Sequence, residues 1–283
     1  MIWKSALLFI LLSGPLCQFA EGLESCPLKL SFVDAGEGDA IFVRYPKGGL
    51  VIDAASPIGA GRFLDYIKAQ RVSDLSALFV THPHLDHAGG VFELLRSLKP
   101  QMLYDNGQAL DDEARTNDMY RWYKEVFRAA PHFRNLRRGD SLEFGELKFD
   151  VLWPPAGDLN SDWNNNSLVL RLSFGRFRAL LMGDALSSTE LKLVSAGVDL
   201  KASVLKAGHH GSSDTASVEF LARVAPELTV VSVNKNNFRG YPDTKALARY
   251  RAQGPVRITG EEGVIEICAG LDGRFSFTGL ARE

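Results

Sequence analysis

Five of the six histidines fall in two short segments, and each segment follows directly on an apolar run. Ala77–Thr81 reads as a buried strand, and it leads into His82-Pro83-His84-Leu85-Asp86-His87. Ser203–Leu205 reads as another, and it leads into Lys206-Ala207-Gly208-His209-His210-Gly211-Ser212. A third run, Phe177–Met182, ends in Gly183-Asp184-Ala185. His-x-His on extended chain sets two imidazoles on one side, able to share an ion. Asp86 and His87 follow within three residues, where a loop turn aims them at a neighbouring ion. Imidazole and carboxylate donors suit Zn, with Mn or Fe accommodated. Gly-Asp after a strand is by itself a turn former, and His-His-Gly alone says little. Together with the first cluster they demand a fold that brings several strand ends to one rim.

The rest of the chain supplies such a fold. Leu28–Val33, Ala40–Arg44 and Leu50–Asp53 are apolar or β-branched runs separated by glycine-rich turns, a strand meander. Helical spacing follows at 62–70, 91–98 and 111–130, with a strand at 102–105. Met119, Trp122, Tyr123 and Phe127 form the apolar stripe of the longest of these helices and read as core. The second half gives strands at 141–144, 147–153, 168–174, 177–182, 203–205 and 228–233, with helices near 189–196, 218–224 and 245–252. Strands near 256–258, 264–268 and 274–277 close the chain. No repeat or low-complexity linker interrupts it. The pattern predicts one α/β (α+β) domain of two sheets face to face with helices outside.

Composition narrows the partners. Thirty-two Lys+Arg against thirty-four Asp+Glu give a formal charge of −2, which excludes a bulk electrostatic grip on nucleic acid. Local basic stretches remain at Arg134, Arg137 and Arg138, and at Arg171, Arg176 and Arg178. Such runs are ordinarily solvated faces. Residues 1–22 read as a signal peptide: Lys4, a short apolar core and a Gly-Pro break, with cleavage after Gly22. The apolar run falls short of the roughly 20 residues a membrane span needs. A retained anchor, or a lipoprotein at Cys17, is the less favoured alternative. Residues 23–283 would then form a secreted or periplasmic domain without a membrane span. Cys26 and Cys268 remain in it, either as a disulfide or as two buried thiols. No partner protein is evident from the residues.

His82-x-His84-x-Asp86-His87 resembles the metal-binding motif of the metallo-β-lactamase superfamily. Four further segments resemble the lactamase-like domain of the ComEC DNA-uptake proteins: Val33-Asp34-Ala35-Gly36-Glu37-Gly38-Asp39-Ala40, Asn164-Asn165-Asn166-Ser167-Leu168-Val169-Leu170, Gly183-Asp184-Ala185 and Gly208-His209-His210-Gly211-Ser212. The likeness runs in order from about Leu28 to Ile267. It implies a four-layer αββα sandwich holding one or two divalent ions, Zn first and Mn second. By resemblance, His82, His84 and Asp184 would hold one ion, and Asp86, His87, Asp184 and one of His209 and His210, with His210 favoured, the other. His209 would serve as proton donor, and Asp86 would also orient the attacking hydroxide. Asp39 and Asp53 look like the acidic residues the superfamily keeps beside its site. Lys206, Ser212 and Tyr241 are placed near substrate or ligands.

Two departures stand out. Asn164–Asn166, with Asn166 as the candidate, occupies the stretch where many members carry a third histidine. Gly240-Tyr241-Pro242 stands where the ComEC pattern has Gly-His-Pro. The implied function is an exported metal-dependent hydrolase using a metal-activated hydroxide, acting on DNA or another phosphodiester. Two readings stay open beside it. One is a lactamase-fold hydrolase of a lactam, a lactone or a cell-envelope phosphoester. The other is a non-catalytic binding module, which Tyr241 and the missing third histidine would favour.

Overall fold

The computed structural model describes residues 26–280 other than 73 and 158. The proposed leader, 1–22, lies outside the described residues. Strands β1 (Leu28–Phe32), β2 (Ala40–Tyr45), β3 (Gly48–Ala54), β4 (Leu75–Phe79), β5 (Met102–Asp105) and β6 (Phe133–Asn135) build one sheet. Its order is β15-β14-β1-β2-β3-β4-β5-β6, with β14 (Val264–Ala269) and β15 (Phe275–Leu280) returning from the C-terminal end. The other sheet runs β13-β12-β11-β10-β9-β8-β7: β7 (Ser141–Phe144), β8 (Leu147–Trp153), β9 (Val169–Phe174), β10 (Phe177–Leu181), β11 (Val204–Lys206), β12 (Leu228–Val231) and β13 (Val256–Ile258). Both sheets are mixed. β3, β4, β5 and β6 run parallel in the first, and β10, β11, β12 and β13 in the second.

Period-two alternation explains the layering. Ile41, Val43, Leu50, Ile52, Ala77 and Phe79 point inward and meet Phe149, Leu170, Leu172, Phe174 and Leu181 of the facing sheet. The intervening Phe42, Val51 and Leu78 point outward under the helices Ala60–Ala69 and Val91–Ser97, against Phe63, Leu64, Ile67, Val91 and Leu94. The outer face of the second sheet buries Leu180 and Leu205 against Leu193, Phe220, Leu221 and Tyr250 from helices Ser187–Ser195, Val218–Val224 and Thr244–Arg251. Three apolar clusters between successive layers make the four-layer αββα sandwich. Parallel strands buried on both faces are what such a sandwich requires.

The single helix expected over 111–130 is three pieces: Glu113–Thr116, Asp118–Trp122 and a wide turn at Tyr123–Phe127. Asn117 breaks it, standing in extended backbone with its side chain accepting from the Met119 amide. Tyr123 and Phe127 are core, as the stripe implied, while Met119 and Trp122 are only partly buried. β6 goes unseen in the sequence because Phe-Arg-Asn has no alternation to show over three residues. Cys26 and Cys268 form a disulfide with Cα atoms 5.4 Å apart, resolving that pair in favour of the bridge. Among the described residues no helix is long and apolar enough to cross a membrane.

Candidate metal centre

The site forms where parallel strands of both sheets end. β3 delivers Asp53, β4 the segment Thr81–His87, β10 Asp184, and β11 the pair His209-His210. Asp53 takes a left-handed backbone, φ 58°, as it leaves β3. Its Oδ1 accepts from the Thr81 amide at 2.7 Å, and its Oδ2 accepts from the Thr81 hydroxyl at 2.8 Å. The same Oδ2 lies 2.7 Å from His87 Nδ1. A carboxylate on Nδ1 fixes the ring and leaves Nε2 free to ligate. Asp53 therefore positions the loop and the imidazole together. His210 is set in the same way, with Nδ1 2.9 Å from the Ser232 carbonyl and Nε2 free.

Asp86, His87, Asp184 and His210 bring one donor atom each within 4.8 Å of one another. His87 Nε2 is 3.1 Å from Asp184 Oδ2, and His210 Nε2 is 3.4 Å from Asp184 Oδ1 and 3.7 Å from Asp86 Oδ2. His82 Nε2 and His84 Nδ1 face each other at 2.9 Å, with Asp184 Oδ2 3.8 Å from His82. Asp184 thus stands between two histidine groups. His87 Nε2, His210 Nε2 and Asp184 Oδ1 are all buried without a hydrogen-bond partner. The short His87–Asp184 separation is an ion-pair distance that lacks hydrogen-bond direction. Three orphaned buried donors converging on one point are costly unless a cation joins them, so the residues fit a divalent ion. The cluster is able to bind metal.

Electrostatics agree. Burial acts to lower the pKa of His87, but Asp184 and Asp53 outweigh it and hold it well above the ordinary value. Burial likewise opposes charge on His210, and Asp184 and Asp86 push it up to about 10. His82 and His84 lie below the ordinary value, chiefly through burial. Burial tends to raise Asp86, but contacts with His210 and His87 leave it well below the usual carboxylate range. Asp184 shows the same balance.

The other sequence candidates divide. His209 stays out of the quartet, 12% exposed, with Nε2 4.0 Å from Asp184 Oδ2 and Nδ1 3.1 Å from Ser212 Oγ. Ser212 in turn bonds Asp214, so a buried hydroxyl and a carboxylate hold the ring. His209 and His210 have successive positive φ values, 39° and 53°, which turn their rings apart. Tyr241 packs edge-on against His209, ring centroids 5.4 Å apart. Asn166 faces away, its amide donating to Gln108 Oε1 at 2.6 Å and to the Asn160 carbonyl at 2.8 Å. The asparagine at the site is Asn164, whose Nδ2 is 3.5 Å from His209 Nε2 and whose Oδ1 is buried and unpartnered. Side-chain choice within Asn-Asn-Asn depends on the turn at 164–166, which residue type alone does not fix.

Lys206 does not await a phosphate. It is fully buried, its ammonium 2.5 Å from Asp39 Oδ2 and donating to the Gly183 carbonyl at 3.0 Å. Asp39 also lies 3.9 Å from His87 Nδ1 and 3.8 Å from His210 Nδ1, so this pair underlies both rings. Gly38 lets Asp39 reach that position: a Cβ there would meet the Asp86 carbonyl oxygen at 1.6 Å. Lys206→Met should destabilise the fold by about 3 kcal/mol because it leaves a buried carboxylate alone. Adding Asp39→Asn should recover much of that loss. Urea denaturation of the single and double variants checks this, and equal stability of parent and Lys206→Met would refute it.

Three arginines of the basic stretches are likewise engaged elsewhere. Arg171 pairs with Asp150 and Asp199, Arg178 with Asp199, and Arg137 donates to the Asn106 carbonyl. The cavity over the centre, about 400 Å³, is lined by Glu37, Ser56, His84, Leu85, Asp86, Asn164, Asp184, His209, Phe238 and Arg239. Trp163 stacks on His84 at 5.2 Å. Sequence reasoning missed Trp163, Phe238 and Arg239, although Trp163 and Arg239 each adjoin a quoted motif.

Residues 33–233 match the metallo-beta-lactamase superfamily. ComE operon protein 3 of Bacillus subtilis is 30% identical over 258 residues, covering 85% of this chain and 32% of its own length. Competence protein ComA of Neisseria gonorrhoeae is 28% identical over 247 residues, covering 87% of this chain and 33% of its own. The chain thus spans about a third of the length of these curated relatives. The metallo-beta-lactamase fold protein YhfI of Bacillus subtilis superposes with a TM-score of 0.55 at 11% identity, over 82% of this chain and 96% of that one, a likeness of fold. With two histidine groups meeting at one aspartate in a four-layer sandwich, and the family match spanning the site, the chain belongs to the metallo-β-lactamase superfamily.

Proposed function

We propose that the protein is an exported, metal-dependent phosphodiesterase that cleaves DNA. The observation that carries the reading is the convergence of unpartnered His87, His210 and Asp184 donors beside a second histidine pair. His82, His84 and Asp184 would hold one divalent ion, and Asp86, His87, Asp184 and His210 another, with Zn or Mn suited to these donors. Such ions lower the pKa of water to about 7 and neutralise charge on phosphoryl oxygens. The chain's own groups do the rest. Asp53 and the Ser232 carbonyl hold His87 and His210 in register, and Ser212 holds His209 with Nε2 at the cavity. His209 is kept below its ordinary pKa chiefly by burial, which favours the neutral ring, and its Nε2 would pass a proton at the cavity. Asp86, at the cavity wall, orients the nucleophile. DNA is favoured over a lactam by the motifs that resemble the ComEC DNA-uptake proteins, alongside the likeness to competence protein ComA. The Cys26–Cys268 bridge supports an oxidising compartment.

The test is cleavage of end-labelled single- and double-stranded DNA by the purified mature protein with added Zn or Mn. Asp86→Ala serves as the control for contaminating nuclease. Metal-dependent cleavage absent from the variant is expected. Turnover of a chromogenic lactam with no phosphodiester cleavage would overturn the reading.

A further inference from the structure

The rim of the cavity carries one feature that the chemistry above leaves unused. Phe238 is 87% exposed, yet it lines the cavity together with Asp86, Asp184 and His209. Beside it is Arg239, the one lysine or arginine among the cavity-lining residues. Its guanidinium lies 5.7 Å from the Phe238 ring centroid. The loop is pinned beneath this pair. Asn237 donates from Nδ2 to the Asn234 carbonyl at 2.9 Å and to the Tyr241 carbonyl at 2.7 Å, and its Oδ1 accepts from the Tyr241 amide at 2.8 Å. A large ring held in water at the mouth of a polar cavity has an apolar face to offer an incoming group.

The charges around the cavity say what kind of group. Asp86 and Asp184 would be offset by the ions they hold, but Glu37 stays on the rim, and one arginine does not compensate a duplex carrying a charge every ~1.7 Å. A duplex also keeps its bases stacked inside. A strand end offers a free base for an aromatic ring and a phosphate within reach of a guanidinium. We infer that Phe238 and Arg239 form a nucleotide-recognition element: Phe238 stacks a base of a single-stranded DNA end while Arg239 holds a neighbouring phosphate. The inference rests on the phosphodiesterase reading and names its substrate class.

Binding tests it apart from catalysis. A fluorescein-labelled, phosphorothioate-linked oligothymidylate, which resists cleavage, is titrated with the Mn-loaded protein and followed by anisotropy. Phe238→Ala should raise Kd roughly 5- to 100-fold, and Phe238→Trp should restore the parent value. An abasic strand of equal charge should bind parent and Phe238→Ala alike. Arg239→Ala should weaken both strands and take about 0.7 off the slope of log affinity against log salt. Parent-like affinity in Phe238→Ala, an equal loss on the abasic strand, or no binding by the parent protein would each overturn the assignment. Hydrolysis of methyl p-nitrophenyl phosphate, a diester without a base, is measured on the same sample. Its absence defeats the phosphodiesterase reading, whereas its presence beside unaffected strand binding defeats the recognition element alone.

Discussion

Asp184→Asn is expected to cut phosphodiesterase turnover at least about 10³-fold and to reduce the divalent metal retained after dialysis. Asp184 Oδ2 is 3.1 Å from His87 Nε2 and 3.8 Å from His82 Nε2, and Oδ1 is 3.4 Å from His210 Nε2. It is thus the carboxylate that both histidine groups share. Asparagine keeps the shape but halves the oxygen donors and turns an N–H₂ toward rings that must accept a cation. Loss of a shared ligand weakens both ion positions at once, and several kcal/mol of charge stabilisation at the phosphoryl group go with them. At ~1.36 kcal/mol per tenfold, 10³ corresponds to roughly 4 kcal/mol. A residue acting only through a ligand, such as Asp53, should cost less, about 10- to 100-fold in metal affinity. Circular dichroism separates a chemical loss from an unfolded protein. Parent-like metal content and activity in Asp184→Asn would mean that the two histidine groups do not share an ion-binding centre.

Much of this centre was legible because its candidate ligands cluster in sequence. His82, His84, Asp86 and His87 occupy six residues after an apolar run, and both of the remaining candidates follow strands. The layers were legible for the same reason: runs such as Ala40–Tyr45 alternate cleanly between Ile41 and Val43 facing one cluster and Phe42 facing another. What escaped depends on side-chain direction and on long-range partners. Lys206 reads as a group near the substrate until Asp39, far away in sequence, is seen against its ammonium. Asn164 and Asn166 are the same residue type two positions apart, and only the turn decides which faces the imidazoles. The helix expected over 111–130 has the right stripe, but Asn117 satisfies a backbone amide locally and ends the first turn. Phe238 and Arg239 left no periodic signal because a loop has no face to repeat.

Stripped of divalent metal, the protein should lose stability steadily as pH rises from about 6.5 to about 10. Burial resists a charge on His210, but Asp184 and Asp86 push its pKa up to about 10, against roughly 6.5 in an unfolded chain. His87 is raised well above its ordinary value by Asp184 and Asp53, after the opposing effect of burial. A group whose folded pKa exceeds its unfolded one favours the fold while protonated. Its contribution is complete below about pH 6.5 and disappears as pH passes the folded value. For His210 alone the linked loss is on the order of 5 kcal/mol. Asp86 and Asp184 lie below their ordinary range, so they stay ionised throughout this window and add no slope. A divalent cation competes with these protons for the same nitrogens, so metal affinity should rise over the same interval. The metal-loaded protein, whose imidazoles are already deprotonated, should show little of the decline. Urea midpoints of the chelated and loaded forms at about pH 6.5 and about pH 9 measure the difference directly. A chelated protein equally stable at both would mean that the carboxylates around Asp184 do not hold protons on His87 and His210, and the case for a cation joining those atoms would weaken with it.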